Sequence, residues 1–483
     1  MPRLHAAVRR GSKRLRRLIA YSALYGTTAV AQKLLGFVVF LWLAKVLPLS
    51  EYAQFGLLYA LQQALTTLGS AGVVEALIGE SKEHPRPKDR EHLTATANLA
   101  FLFLLLPCAG IALLGWNLNG AHVAFDTLSY HGAVACGLVL AITSFQSQLV
   151  RLSENHALSV LLTSAPVCGS LVGAFIACVS RQTLGSFFVG SALGSLIVSA
   201  LLWVFPRNTW KLAFDRTILR RIAVAALPYF VIAGLGWLSG YGTNYLIGLM
   251  LHSADVARYT FALSLSSTLL LVAGALNQVW CPRFYLLART RTFDELEGQN
   301  QRFYKVLGGA LGFAGGMVAI LLPWLTRLVG GNLRNYANMS VELSLLFSAY
   351  VILIPWWHCQ NHFVAHNMGR TILRVVVSTS IAGVLCLLLL MWRFGSLGVY
   401  IGFLVQMLLR SIAIIFESRK HWPIRLDFSG ILAGLGMLAA GFLVSSYEDL
   451  SVAAQVIYVM ACMLLLYTLV GRDTIFGLFR HSS

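Results

Sequence analysis

Lys33 and Arg410 draw attention first, because each is a cation set within a long apolar run of the sequence. Holding a charge at the middle of a bilayer costs roughly 2.5–3.5 kcal/mol on insertion scales, so such a residue is expected to face a bundle interior or a watery cavity and to serve a function there. Counted from Leu18 at about 1.5 Å per residue, Lys33 lies roughly 22 Å along a helix, too deep for its stem to reach a surface easily. Arg410 lies about two turns from the end of its run, where its guanidinium offers bidentate contacts to phosphate oxygens or a pairing with Glu417. Glu75 and Glu342 stand near the ends of their runs, suited to carrying a proton or a cation, or to closing a salt bridge between helices. His358, His362 and His366 recur at a spacing of four, which sets them on one helical face beside Gln360 and Asn361. A metal site would need a carboxylate or thiolate at matching spacing; none is evident, and no metal is expected. The face reads instead as a polar strip whose imidazoles titrate near neutral pH. Asn277, Gln62, Gln63, Gln146 and Gln148 supply amides for a hydroxyl-rich ligand or for neighbouring helices.

What must position these residues is a set of helices in lipid. Hydrophobic residues make up 57% of the 483 and charged residues 12%, with a mean hydropathy of +0.72, a balance that no soluble core could bury. Lipid offers the backbone no hydrogen-bond partner, so only helices of about 20 residues or closed barrels can cross it. The runs are long and rich in Leu, Ala and Gly, and the ~10-residue alternation of barrel strands is missing. Fourteen spans are expected near 18–44, 52–79, 93–115, 129–150, 159–179, 184–205, 222–250, 256–281, 304–329, 341–365, 371–392, 396–417, 429–447 and 451–470. The basic stretch Arg9 to Arg17 begins like a signal peptide, but the run from Leu18 to Ala44 is too long for one and reads as a retained first span. All eight cysteines fall within or beside these runs, where Cys behaves as a small hydrophobe, so no disulfide or zinc framework follows.

The formal charge of +18 is a record of topology. With the N-terminus cytoplasmic, 29 of the 37 Lys and Arg fall in inside segments, six in outside loops and two, Lys33 and Arg410, within spans. The alternation holds to the last helix and places both termini in the cytoplasm, with a secondary attraction to anionic membrane lipids. Nucleic acid is not an expected partner, because the basic residues share no soluble face. Every outside loop is short, so no external domain is left in which chemistry could be built. No phosphate-binding glycine loop of the Walker type is present, and no cofactor is expected.

Residues 47–55 and 251–259 align without gaps at an offset of 204, each carrying an acid at a helix start and an aromatic one turn on, Glu51 with Phe55 and Asp255 with Tyr259. Six spans separate the copies, which gives both the same orientation and makes a parallel repeat. The expected fold is therefore an all-α polytopic membrane protein of about 14 transmembrane helices, with two six-helix bundles and two C-terminal helices. Its segments are a basic cytoplasmic N-terminus (1–17), an N-terminal bundle (18–205), a cytoplasmic linker (206–221), a C-terminal bundle (222–417), and two further helices with a short cytoplasmic tail (418–483).

Leu47-Pro48-x-x-Glu51-Tyr52-x-x-Phe55-Gly56, Leu227-Pro228, Tyr259-x-x-Ala262, Pro282-Arg283-Phe284-Tyr285 and the stretch from Gly395 to Gly402 together resemble the Wzx-type polysaccharide flippases of the MATE, oligosaccharide-flippase and MurJ superfamily. The resemblance covers nearly the whole chain. It implies translocation of an undecaprenyl-pyrophosphate-linked oligosaccharide from the inner to the outer leaflet of the bacterial cytoplasmic membrane, for surface or exopolysaccharide (including lipopolysaccharide) synthesis. The implied mechanism is alternating access around a cationic central cleft. On that reading Lys33, Arg410, Arg374, Arg370, His358, His362 and Asn277 are candidates for substrate binding, with Glu75 and Glu342 as candidates for H+ or Na+ coupling. The implied partners are the lipid-linked oligosaccharide, membrane lipids, a polysaccharide polymerase and a chain-length regulator. Many relatives carry an Asp-Arg pair in the seventh span, where this chain has Thr243-Asn244. The chain is not expected to be an enzyme; a MATE-like or lipid II exporter, or a membrane polymerase or ligase, are the alternatives.

Overall fold

The computed structural model describes residues 27–28, 30–74, 76–77, 87–118, 125–152, 155–203, 211–366, 368–446 and 452–470, which are helical wherever they are regular and include no strand. The helices in chain order are α1 (30–46), α2 (Leu49–Leu68), α3 (Pro87–Leu118), α4 (Thr127–Leu152), α5 (His156–Arg181), α6 (Leu184–Leu202), α7 (Arg216–Ser239) and α8 (Thr243–Met250). They continue as α9 (Ser253–Thr290), α10 (Phe293–Val329), α11 (Ser340–Ile352), α12 (Ile354–Ala365), α13 (Gly369–Phe394), α14 (Ser396–Arg419), α15 (Ser429–Ser446) and α16 (Val452–Val470). Ten helical segments among the described residues are long and apolar enough to cross a bilayer, with α11 and α12 together counting as one, and α15 and α16 contain shorter apolar helices. The first two expected spans, 18–44 and 52–79, correspond to α1 and α2 and lie partly outside the described residues. Leu106 on α3 and Leu389 and Trp392 on α13 are 63%, 64% and 77% exposed, an apolar surface suited to lipid.

Three expected boundaries are corrected. The seventh span, expected as one helix over 222–250, starts earlier at Arg216 and breaks at Gly240–Gly242, where Thr243, Asn244 and Tyr245 donate their backbone N–H groups to carbonyls three residues back. Thr243 Oγ1 donates to the Leu238 carbonyl at 3.0 Å, so the freed backbone oxygen is satisfied by a side chain. The hydrophilic stretch 283–305, expected as a connection, is almost wholly helical and extends α9 and α10 to 38 and 37 residues. Asp294 and Glu295 in the first turn of α10 favour that start through the helix dipole. The tenth span divides into α11 and α12 at Leu353, with Pro355 in the first turn of α12 where its missing N–H costs nothing.

The chain forms two compact units, one of Met1–Val39 with Leu58–Trp237, the other of Phe40–Leu57 with Leu238–Ser483. In the first, Phe101 of α3 and Phe145 of α4 stack with centroids 4.2 Å apart within an apolar core that also takes in Ile222 and Ala226 of α7. Its α5 and α6 cross at paired small residues: a Cβ on Gly173 would lie 3.0 Å from Gly194 Cα, so only glycine allows the backbones this near. In the second unit α10 and α15 meet in the same way, through Gly308 and Gly312 against Gly430 and Gly434. The two repeat copies open helices at the expected offset, α2 at Leu49 and α9 at Ser253, and Phe55 and Tyr259 are both buried. The backbone N–H of His252 donates to Asp255 Oδ2 at 3.2 Å, closing the start of α9.

Candidate functional site

Because α10 begins at Phe293, Glu297 is a helical residue and shares one face with Asn300 and Tyr304 at spacings of three and four. Because α12 restarts at Ile354, the face carrying His358, Asn361 and His362 is set by Pro355 independently of α11. The two faces meet inside the second unit. His358 Nε2 lies 2.9 Å from Glu297 Oε1 and His362 Nε2 lies 2.9 Å from Oε2, while the Arg425 backbone N–H donates to Oε1 at 3.1 Å. The three side chains are 2%, 0% and 3% exposed for His358, His362 and Glu297. A carboxylate this deep is held by its donors, since removal from water without them would cost several kcal/mol. His362 Nδ1 has no hydrogen-bond partner among the described residues. Its ring is boxed by Phe284 edge-on at 4.9 Å and by Phe293 and Trp422 at 5.4 and 5.6 Å.

Amides extend the cluster. Trp280 Nε1 donates to Asn300 Oδ1 at 3.0 Å, and Asn300 donates to the His358 carbonyl at 3.3 Å. Asn361 Nδ2 donates to the Tyr304 hydroxyl at 2.9 Å, and that hydroxyl reaches the Trp357 carbonyl at 3.0 Å and Asn277 Oδ1 at 3.3 Å. The connection from α14 to α15 covers this end: Gln301 donates to the Arg425 carbonyl, Lys305 pairs with Asp427 at 3.4 Å, and Trp422 packs on Phe363 and His366. The hydroxyl and backbone N–H of Ser429, with Lys305, hold the Asp427 carboxyl below its ordinary value.

The expectation that the histidines lack a carboxylate is corrected by Glu297, which lies in the hydrophilic stretch 283–305 between two expected spans. The cue was present: 293–305 holds no proline, and Leu296, Asn300, Tyr304 and Leu307 carry a helical period into the next run. The amide of Asn277 joins the same network rather than standing apart. Arg410 is half-buried on α14; its Nη2 donates to Ser380 Oγ at 2.8 Å and its guanidinium carbon lies 5.6 Å from the Trp356 ring centroid, whereas Glu417 pairs with Lys420. Lys33 is exposed on α1, with no hydrogen bond or ion pair among the described residues. Arg370 and Arg374 are exposed in the first turns of α13. Glu342, half-buried at the start of α11, lines a narrow concavity with Asp255, Arg258 and Tyr400. Glu75 lies outside the described residues. At the position where the Asp-Arg pair is replaced, Asn244 is buried, donating to the Gly56 carbonyl at 3.3 Å and accepting from Thr260 Oγ1 at 3.2 Å, so it ties α2, α8 and α9 together.

The sequence matches the model of the polysaccharide biosynthesis protein family over residues 19–287. No curated relative matches it. Among solved structures, the lipid II flippase MurJ in an inward closed conformation aligns with a TM-score of 0.73 at 12% identity, over 94% of this chain and 100% of that one. An inward-facing multidrug resistance MATE family transporter of the MOP superfamily aligns with a TM-score of 0.57 at 14% identity, over 87% and 96% of the two chains. The Vibrio cholerae MATE transporter VcmN in its bent form aligns with a TM-score of 0.54 at 14% identity, over 89% and 98%. The fold is thus of the MurJ and MATE type.

Proposed function

The chain belongs to the polysaccharide biosynthesis protein family, and from that premise we propose that it carries an undecaprenyl-pyrophosphate-linked oligosaccharide from the inner to the outer leaflet of the bacterial cytoplasmic membrane. The observation that carries the reading is the coincidence of that family match with a fold shared along 94% of the chain with a lipid-linked-substrate flippase. The physical task is to move a polyanionic headgroup and a polar glycan through hydrocarbon, and cations within the spans suit it. Lys33 and Arg410 supply charge to the path, the guanidinium contacting phosphate oxygens through the nitrogens that Ser380 leaves open. Arg370 and Arg374, exposed and one turn apart, collect the pyrophosphate at the cytoplasmic entrance. Alternating access around a cationic central cleft delivers the substrate outside, without covalent chemistry and with both termini cytoplasmic. H+ or Na+ entry, or consumption of product by a polymerase working with a chain-length regulator, supplies direction, and Glu342 and Glu75 are the candidate carriers.

The test is a deletion strain lacking any paralogue. Lipid-linked oligosaccharide should accumulate in the inner leaflet, and Lys33→Ala or Arg410→Ala should impair export while leaving insertion intact. Normal surface polysaccharide in that strain overturns the proposal.

A further inference from the structure

We propose that Glu297, His358 and His362 form a binding site for a divalent transition cation of the zinc class. The donor set is two imidazoles four residues apart on one helix and a carboxylate from another, all three side chains fully buried, with the donor atoms within 4.8 Å of one another. Both imidazoles turn the same nitrogen, Nε2, toward one carboxylate, with one oxygen facing each ring. One histidine and the Arg425 N–H would suffice to satisfy a structural glutamate, whereas two convergent Nε2 atoms and a carboxylate make three protein ligands of a tetrahedral site. A single carboxylate beside two imidazoles selects zinc and its transition-metal neighbours over calcium or magnesium, which want oxygen.

The surroundings fit a ligated form. Arg425 N–H on Oε1 orients the carboxylate from behind, as outer partners of metal ligands do. His362 Nδ1 has no hydrogen-bond partner among the described residues, so when Nε2 takes the cation the ring proton can move to Nδ1 without displacing a bond. The site would pin α10 to α12 directly and, through Arg425, to the connection that leads into α15. This inference is independent of the transport reading, since it concerns occupancy and stability.

The experiment uses the full-length chain in detergent, purified without a polyhistidine tag, stripped with chelator, re-equilibrated with Zn2+ and desalted. Elemental analysis should find one zinc per chain, and the thermal midpoint should climb with free zinc, as ligand binding to the folded state alone requires. Glu297→Gln, which keeps the shape and one acceptor, and His362→Gln should each bind on the order of tenfold more weakly or worse, a loss that outer-shell changes alone can reach. Each variant is first shown to elute as a single folded species without zinc; should one fail, His358→Gln replaces it. Wild-type protein that retains no zinc and shows no midpoint shift overturns the proposal, as does retention by the variants equal to wild type.

Discussion

Replacing Gly434 by alanine and, separately, Gly436 by alanine should shift stability in opposite directions. Both glycines lie in α15, two residues apart, and alanine is the better helix former by about 0.5–1 kcal/mol at either position. They differ in what the new methyl meets. At Gly434 it would stand 3.0 Å from the carbonyl carbon of Gly308 and nearer still to that oxygen, with Val351 Cγ1 at 3.3 Å. Carbon atoms in contact prefer about 3.5–4.0 Å, so α15 would have to retreat from α10 by roughly half an ångström or more, loosening every glycine contact along the crossing. Overpacking of this kind costs typically 1–3 kcal/mol, more than the helical gain. At Gly436 nothing lies within 4 Å, and the gain stands alone. The assay is the midpoint of thermal denaturation in detergent, read by tryptophan fluorescence at matched scan rates. Gly434→Ala is expected below wild type and Gly436→Ala at or above it. Equal midpoints for the two variants, or a rise with Gly434→Ala, would refute the close approach of α10 and α15.

Glu297→Ala leaves two imidazole N–H groups and the Arg425 N–H without an acceptor in a buried place, and should cost on the order of 3–5 kcal/mol, measured as loss of folded yield and of denaturation midpoint. Arg410→Ala removes the bond to Ser380 and the contact with Trp356, about 1–2 kcal/mol together. Export should fall much further than that stability change explains, with Arg410→Lys intermediate because it keeps charge but not the fork; equal export by wild type and both variants would refute a role in the path. Asp215 accepts the backbone N–H groups of Ile218 and Thr217 ahead of α7, and these hold its carboxyl below the usual value. The cap therefore contributes above the ordinary aspartate range and is lost as pH falls through the lowered value. Thermal midpoints from pH 7 to pH 3 should show part of their acid loss vanish in Asp215→Asn.

Helix-forming runs were legible because lipid imposes a length and an apolar composition that a sequence displays directly. The starts of α2 and α9 could be read from Glu51 and Asp255, since a dipole and a cap act within one turn. Glu297 was not legible as a partner of the histidines. It is separated from His358 by 61 residues, and its charge suggested a loop, whereas α10 runs through it and buries it against α12. The break at Gly240–Gly242 was hidden for a different reason: the small polar stretch Ser239–Asn244 is short and has apolar residues on both sides, and the bonds of Thr243 and Asn244 to Leu238 and Gly56 help to make the interruption tolerable. Arg410 was singled out by its cost in lipid, but Ser380 and Trp356 are non-local partners that no spacing rule names.

Leaflet translocation itself is tested most directly by reconstituting the purified chain into liposomes that contain a fluorescent undecaprenyl-pyrophosphate oligosaccharide and adding an impermeant quencher outside. Protein-free vesicles should lose only the outer-leaflet signal, whereas vesicles with the wild-type chain should lose nearly all of it. Arg410→Ala vesicles should lose the inner-leaflet signal far more slowly. Quenching with the wild-type chain no greater than in protein-free vesicles, in membranes shown to be intact, would contradict the account.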